Sequence, residues 1–134
     1  MSEYEIVHTI TDWYDGARAG IAEVDGVPHY YENQWLEGEQ YWSEIYFLKS
    51  LDAETFALAI EDWEMWLRWE KSFKEGKTTQ ETHPVLLEDR KRHEELSQVL
   101  AERLIINPET DVRAKADFLY GQPTKVKWII QSKQ

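Results

Sequence analysis

Residues 25–35, DGVPHYYENQW, concentrate more groups capable of chemistry than any other stretch of this sequence. His29 could act as an acid or base, with Glu32 or Glu23 nearby. In an extended strand side chains alternate, which puts His29, Tyr31, Asn33 and Trp35 on one face and Tyr30, Glu32 and Gln34 on the other. Either face could line a groove with aromatic walls and convergent polar groups, as ligand pockets do. Tyr41, Trp42 and Tyr46 lie close enough in sequence to complete it. The favoured reading is plainer: an edge strand with one packed aromatic face and one wet face.

A second group of polar residues interrupts the segment Asp52–Phe73, DAETFALAIEDWEMWLRWEKSF. Its apolar residues recur at helical spacing. Phe56, Ala59, Ile60, Trp63, Trp66, Leu67 and Phe73 share one side, and Leu58, Met65 and Trp69 widen the arc. Asp62 and Glu70 flank Trp66 one turn away on either side. A carboxylate among apolar neighbours needs a partner or a raised pKa. The favoured reading is ion pairs to arginines of a neighbouring helix, Arg92 and Arg103; the sharper one is a pair of site carboxylates. His93 reads as a core histidine hydrogen-bonded to Asp89. The candidate ligand-binding residues are thus His29, Tyr31, Glu32, Trp35, Trp42, Asp62 and Glu70.

No catalytic residue can be assigned. The phosphate-binding GxxxxGK[ST], the dinucleotide GxGxxG, the nucleophile-elbow GxSxG and the zinc HExxH patterns are all missing. There is no cysteine, and the four histidines (His8, His29, His83, His93) are scattered. Neither a metal nor an organic cofactor is expected.

The net charge of −11 is uneven. Residues 1–62 carry two basic and fourteen acidic side chains, and residues 63–134 thirteen and twelve. An acidic first half repels a phosphate backbone, so no nucleic-acid partner is expected. It suits a basic partner, a cation or simple solubility. The sequence has no apolar run long enough for a membrane span and no signal-peptide pattern, so a cytoplasmic location and no membrane association are expected.

The positioning elements follow from periodicity. Residues 4–13 alternate as a strand, and Asp15-Gly16 turns the chain. Residues 17–24 form a second strand in which Gly20 signals a bulge or close backbone approach. Asp25-Gly26 is a strong hairpin signal leading into strand 27–35, where Pro28 fits an edge or the first positions. A loop over 36–42 precedes strand 43–49. The central helix follows, then a mobile connector over 76–83. A second helix opened by Pro84 runs to about Ile106, with Leu86, His93, Leu96, Val99, Leu100 and Leu104 on its buried face. Residues 112–120 and 125–131 alternate as a final hairpin, and the tail should fray. The fold class is α+β in the order ββββ-αα-ββ, one domain over 1–134. It is an antiparallel, barrel-like sheet of six strands with a two-helix hairpin packed on it, the central helix wedged between two layers. The alternative is a hairpin projecting from a small closed barrel.

The segments WYDGARAGIAEVDGVPHYYE, EDWEMWLRWEKSF and THPVLLEDRKRHEEL resemble a group of bacterial proteins of about this length. The resemblance spans most of the chain. It implies one intact bacterial domain and neither an activity nor any site residue. The favoured function is a non-enzymatic binding or protein-interaction module, with a second copy covering part of the wide helical arc in a homodimer. One alternative is a small-molecule binder or small enzyme with a pocket between sheet and helices, using His29, Tyr31 and Glu32. Another is an acidic mimic of a nucleic acid.

Overall fold

A computed structural model describes residues 3–131. Six strands and two helices follow the expected order: β1 Glu5–Trp13, β2 Ala17–Val24, β3 Val27–Leu36, β4 Tyr41–Ser50, α1 Ala53–Lys74, α2 Arg90–Arg103, β5 Val112–Leu119 and β6 Lys125–Gln131. Length led to an expectation of one domain. The chain forms two compact units, one built from residues up to Asp52 together with those from Ile106 onward, the other Ala53–Ile105. The C-terminal tail expected to fray lies outside the described residues.

In the first unit every strand pairs antiparallel with its neighbour in sequence, and β6 returns to β1, closing a barrel. The turns explain the register. Asp25 and Gly26 both have positive φ, the requirement of a tight two-residue hairpin turn. Gly20 sits where β1 crosses β2: a Cβ there would lie 2.1 Å from the Thr9 carbonyl oxygen and 2.7 Å from the Tyr31 hydroxyl. Only glycine permits that approach. Pro28 is the second residue of β3, not part of an edge, because closure leaves no edge strand. The seam is short. Glu5 pairs with Val126 and Ile6 with Lys125, and the Val7 amide donates to the Thr124 carbonyl.

The barrel interior is filled by side chains. Tyr31, Tyr46, Phe118 and Trp128 form a cluster in which each ring touches the other three, with centroids 5.7–6.1 Å apart. Val7, Ala22, Leu48, Ala114 and Val126 complete the core. Small alanines opposite large rings let a six-stranded barrel close without voids. Each interior phenol is satisfied: Tyr31 donates to the Thr9 carbonyl and Tyr46 to that of Ala17.

In the second unit α1 has the expected extent, but its buried side is turned from the expected one. Thr55, Ala59, Met65 and Trp69 are buried, whereas Leu67 and Phe73 are about two-fifths exposed. The flank that seemed only to widen the arc is thus its most buried part. Trp69 explains this, because its ring is engaged on all sides. It stacks on Phe73, meets His83 edge-on and donates from Nε1 to the Thr82 hydroxyl.

Pro84 does not open α2, which begins at Arg90. Two single 3-10 turns, Gln80–Thr82 and Leu87–Asp89, precede it. Asp89 is held at that boundary by a two-pronged contact from Arg68 of α1. The Thr78 and Thr82 hydroxyls bond each other and Thr82 donates to the Thr79 carbonyl, so the 76–83 connector has its own hydrogen-bonded order.

The ion pairs between the helices also differ from those expected. Arg92 meets Glu61 and Arg103 meets Glu54. Asp62 accepts from His93, and Glu70 faces Lys74 of its own helix. The arginines are taken by Glu61, the residue before Asp62, and by Glu54 in the first turn of α1.

Candidate functional site

A register irregularity in β4, opposite β3, borders a cleft that gathers several of the expected residues. Strict alternation would place Glu32 and Trp35 on opposite faces. The β3–β4 register shifts between Asn33 and Trp35: Ser43, Glu44 and Ile45 of β4 stand opposite Gln34 alone, and Trp35 pairs with Trp42. Asn33 fixes the shift. It is nearly fully buried, and its Nδ2 donates to the carbonyls of both Ser43 and Ile45. Glu32, Gln34 and Trp35 of β3 line one cleft of about 550 Å³ on the barrel, with Trp42 of β4 beside them.

Four aromatic rings contribute to its walls: Tyr30, Trp35, Trp42 and Phe47. The two indoles meet edge-to-face at 5.0 Å, and Trp35 keeps 42% of its surface exposed. Asp12 at the end of β1 and Glu32 supply two carboxylates. Both act on the Tyr30 phenol, whose pKa is raised well above its ordinary value. Burial is the main cause, followed by its hydrogen bond to Glu32 Oε1 at 2.7 Å and by the two negative charges.

The one cationic side chain of the lining is already committed. Arg18 donates from Nε to the Tyr14 carbonyl, from Nη2 to that of Asp15 and from Nη1 to Asn33 Oδ1. Its guanidinium lies 4.9 Å from the centre of the Trp42 ring. Its charge also draws down the pKa of Tyr46, which burial nonetheless pushes up to about 12. Arg18 therefore locks the β1–β2 turn onto β3 and covers one face of Trp42.

The other expected residues lie elsewhere. His29 donates from Nδ1 to the Val27 carbonyl at 2.8 Å. Neither acid expected beside it is its partner: Glu23 takes His8 at 2.8 Å, and Glu32 takes Tyr30. Tyr31 is fully buried in the barrel core. Of the two aromatics flanking Trp42, Tyr41 is exposed and Tyr46 is core. Asp62 and Glu70 belong to the helical unit and its ion pairs. Asp12 and Arg18 were missed, because they reach the cleft through strand pairing rather than proximity in sequence. The one available signal was Arg18, a lone basic residue among acids ahead of a glycine-marked strand.

The helical unit holds a second arrangement with chemical form. Ser97 Oγ lies 3.4 Å from His93 Nε2, and His93 Nδ1 lies 2.5 Å from Asp62 Oδ1. That is the order of a nucleophile, base and orienting carboxylate. Ser97 sits in the middle of α2, where backbone N–H groups are used in the helix. No backbone donor is therefore free to stabilise an oxyanion beside it.

No protein-family model, curated protein or solved structure matches this chain. Its function must be argued from its own geometry. Among the described residues no cluster of three or more His, Asp or Glu side chains is placed to hold a metal, and no helix is long and apolar enough to cross a membrane.

Proposed function

We propose that this chain is a non-enzymatic binding module and that its ligand occupies the cleft around Trp35, Trp42 and Glu32. The observation that carries the reading is the cleft itself. The half-exposed Trp35 indole and the Glu32 carboxylate of β3 line it together with Trp42 of β4. The filled interior adds support: a barrel packed with four touching rings has no room for a ligand inside, so recognition falls to its surface. The serine–histidine–aspartate arrangement in α2 does not favour catalysis, since it lacks an oxyanion donor. A panel of small molecules screened by thermal shift tests the proposal, because a ligand selective for the folded state raises the melting temperature. Hits should lose their shift in Trp35→Ala, whose own melting temperature should stay close to that of the unaltered protein. Hits that persist unchanged in Trp35→Ala and Glu32→Gln would overturn it.

A further inference from the structure

Resting on that reading, we propose that the cleft takes an alkylammonium cation. Four aromatic rings and two carboxylates converge on one volume of about 550 Å³. Ring faces carry negative potential, and stacked around a cation they bind it without needing hydrogen-bond donors from it. Such a wall favours a bulky, weakly hydrated ammonium over a compact metal ion, whose oxygen ligands this cleft does not cluster. The carboxylates of Asp12 and Glu32, both in the lining of the cleft, supply the field.

The protein already demonstrates the contact. The Arg18 guanidinium rests on one face of Trp42 at 4.9 Å, held there by two backbone carbonyls and Asn33. Arg18 is the only cation of the lining, and two acids outnumber it. Trp35 retains the exposed ring surface that a second cation needs. The strongly acidic first 62 residues, of which the cleft is largely made, add long-range attraction for the same charge.

The test uses the full-length protein, with calorimetric titration and amide chemical shifts as readouts. Choline is compared with 3,3-dimethylbutan-1-ol, its neutral isostere of the same shape. Choline should bind at least tenfold more tightly, with shift changes at Trp35, Trp42 and Glu32. Glu32→Gln and Asp12→Asn should each weaken choline severalfold while leaving the isostere unchanged. A peptide bearing trimethyllysine is the parallel arm. Tighter binding than choline would mark the ammonium as part of a protein partner, and weaker binding would mark it as a free metabolite. Equal affinity for choline and the isostere would overturn the charge inference but leave the binding reading standing. If none of the three ligands binds, the inference falls, and the wider thermal-shift panel then decides the reading on which it rests.

Discussion

The barrel and the helical pair solve the same problem with different materials. In the barrel four large rings touch one another at the centre, and strand pairing links residues far apart in sequence. In the helical pair α1 and α2 bury few large side chains, chiefly Met65, Trp69, Leu96 and Leu100. Charged contacts then recur along the pair: Glu54–Arg103, Glu61–Arg92, Asp62–His93 and Arg68–Asp89. Such contacts fix register and contribute little stability at the surface. The comparison teaches that one acidic sequence can place its packing energy in one unit and its specificity of pairing in another.

Four experiments would break or sharpen that contrast. Trp128→Ala, which removes one member of the ring cluster, should cost about 3–5 kcal/mol in denaturant unfolding. Gly20→Ala should come next, at about 3 kcal/mol, because its new methyl meets the fixed Thr9 carbonyl. A cost below about 1 kcal/mol would show that β1 can retreat, contrary to a tightly closed barrel. Met65→Ala in the helical unit should cost less than either, about 2 kcal/mol. If it matches Trp128→Ala, the packing difference between the units is wrong. Arg68→Ala should change stability by under about 1 kcal/mol, and less still in high salt.

Acid supplies a further test of the charged contacts. The Arg92 guanidinium, by its hydrogen bonds and charge, holds the Glu61 carboxyl below its ordinary 4.5. A depressed carboxylate stabilises the fold fully above its unfolded pKa, and that contribution disappears as pH falls through the folded value. Hydrogen exchange measured from pH 6 downward should therefore show α1 and α2 loosening below about pH 4.5, and Glu61→Gln should flatten that dependence. An unchanged pH response in Glu61→Gln would remove this pair from the account.

Much of the fold was legible in the sequence, and particular residues show why. Asp25-Gly26 and Gly20 could be read directly, since each reflects a local backbone demand that few residues meet. Alternation revealed six strands because a filled barrel buries one face of each. Closure was not legible: the pairing of Glu5 and Ile6 with β6 depends on strand tilt, which no local pattern encodes. The start of α2 was misplaced because Pro84 suits a helix start equally well as a turn, and the Asp89–Arg68 contact that sets the true start is tertiary. The site was half legible. Glu32, Trp35 and Trp42 were found because aromatic and acidic side chains crowd one strand and its return. Their convergence was hidden, because alternation sets Glu32 and Trp35 on opposite faces and the irregularity of β4 that borders the cleft has no local signal. Asp62 and Glu70 misled for a related reason, as the rotation of α1 is decided by Trp69 and its partners.

The seam between β1 and β6 has a consequence for the life of the protein in a crowded solution. Among the described residues, two residue pairs and one further amide bond hold it shut, against five or more pairs at most other strand boundaries. Breathing of the barrel should begin there, where the fewest bonds must part at once. Each such opening uncovers the unsatisfied backbone groups of Glu5, Ile6, Lys125 and Val126, a ready template for another chain. Shelf life and tendency to form fibrils should therefore be governed by this narrow fastening rather than by the dense aromatic centre.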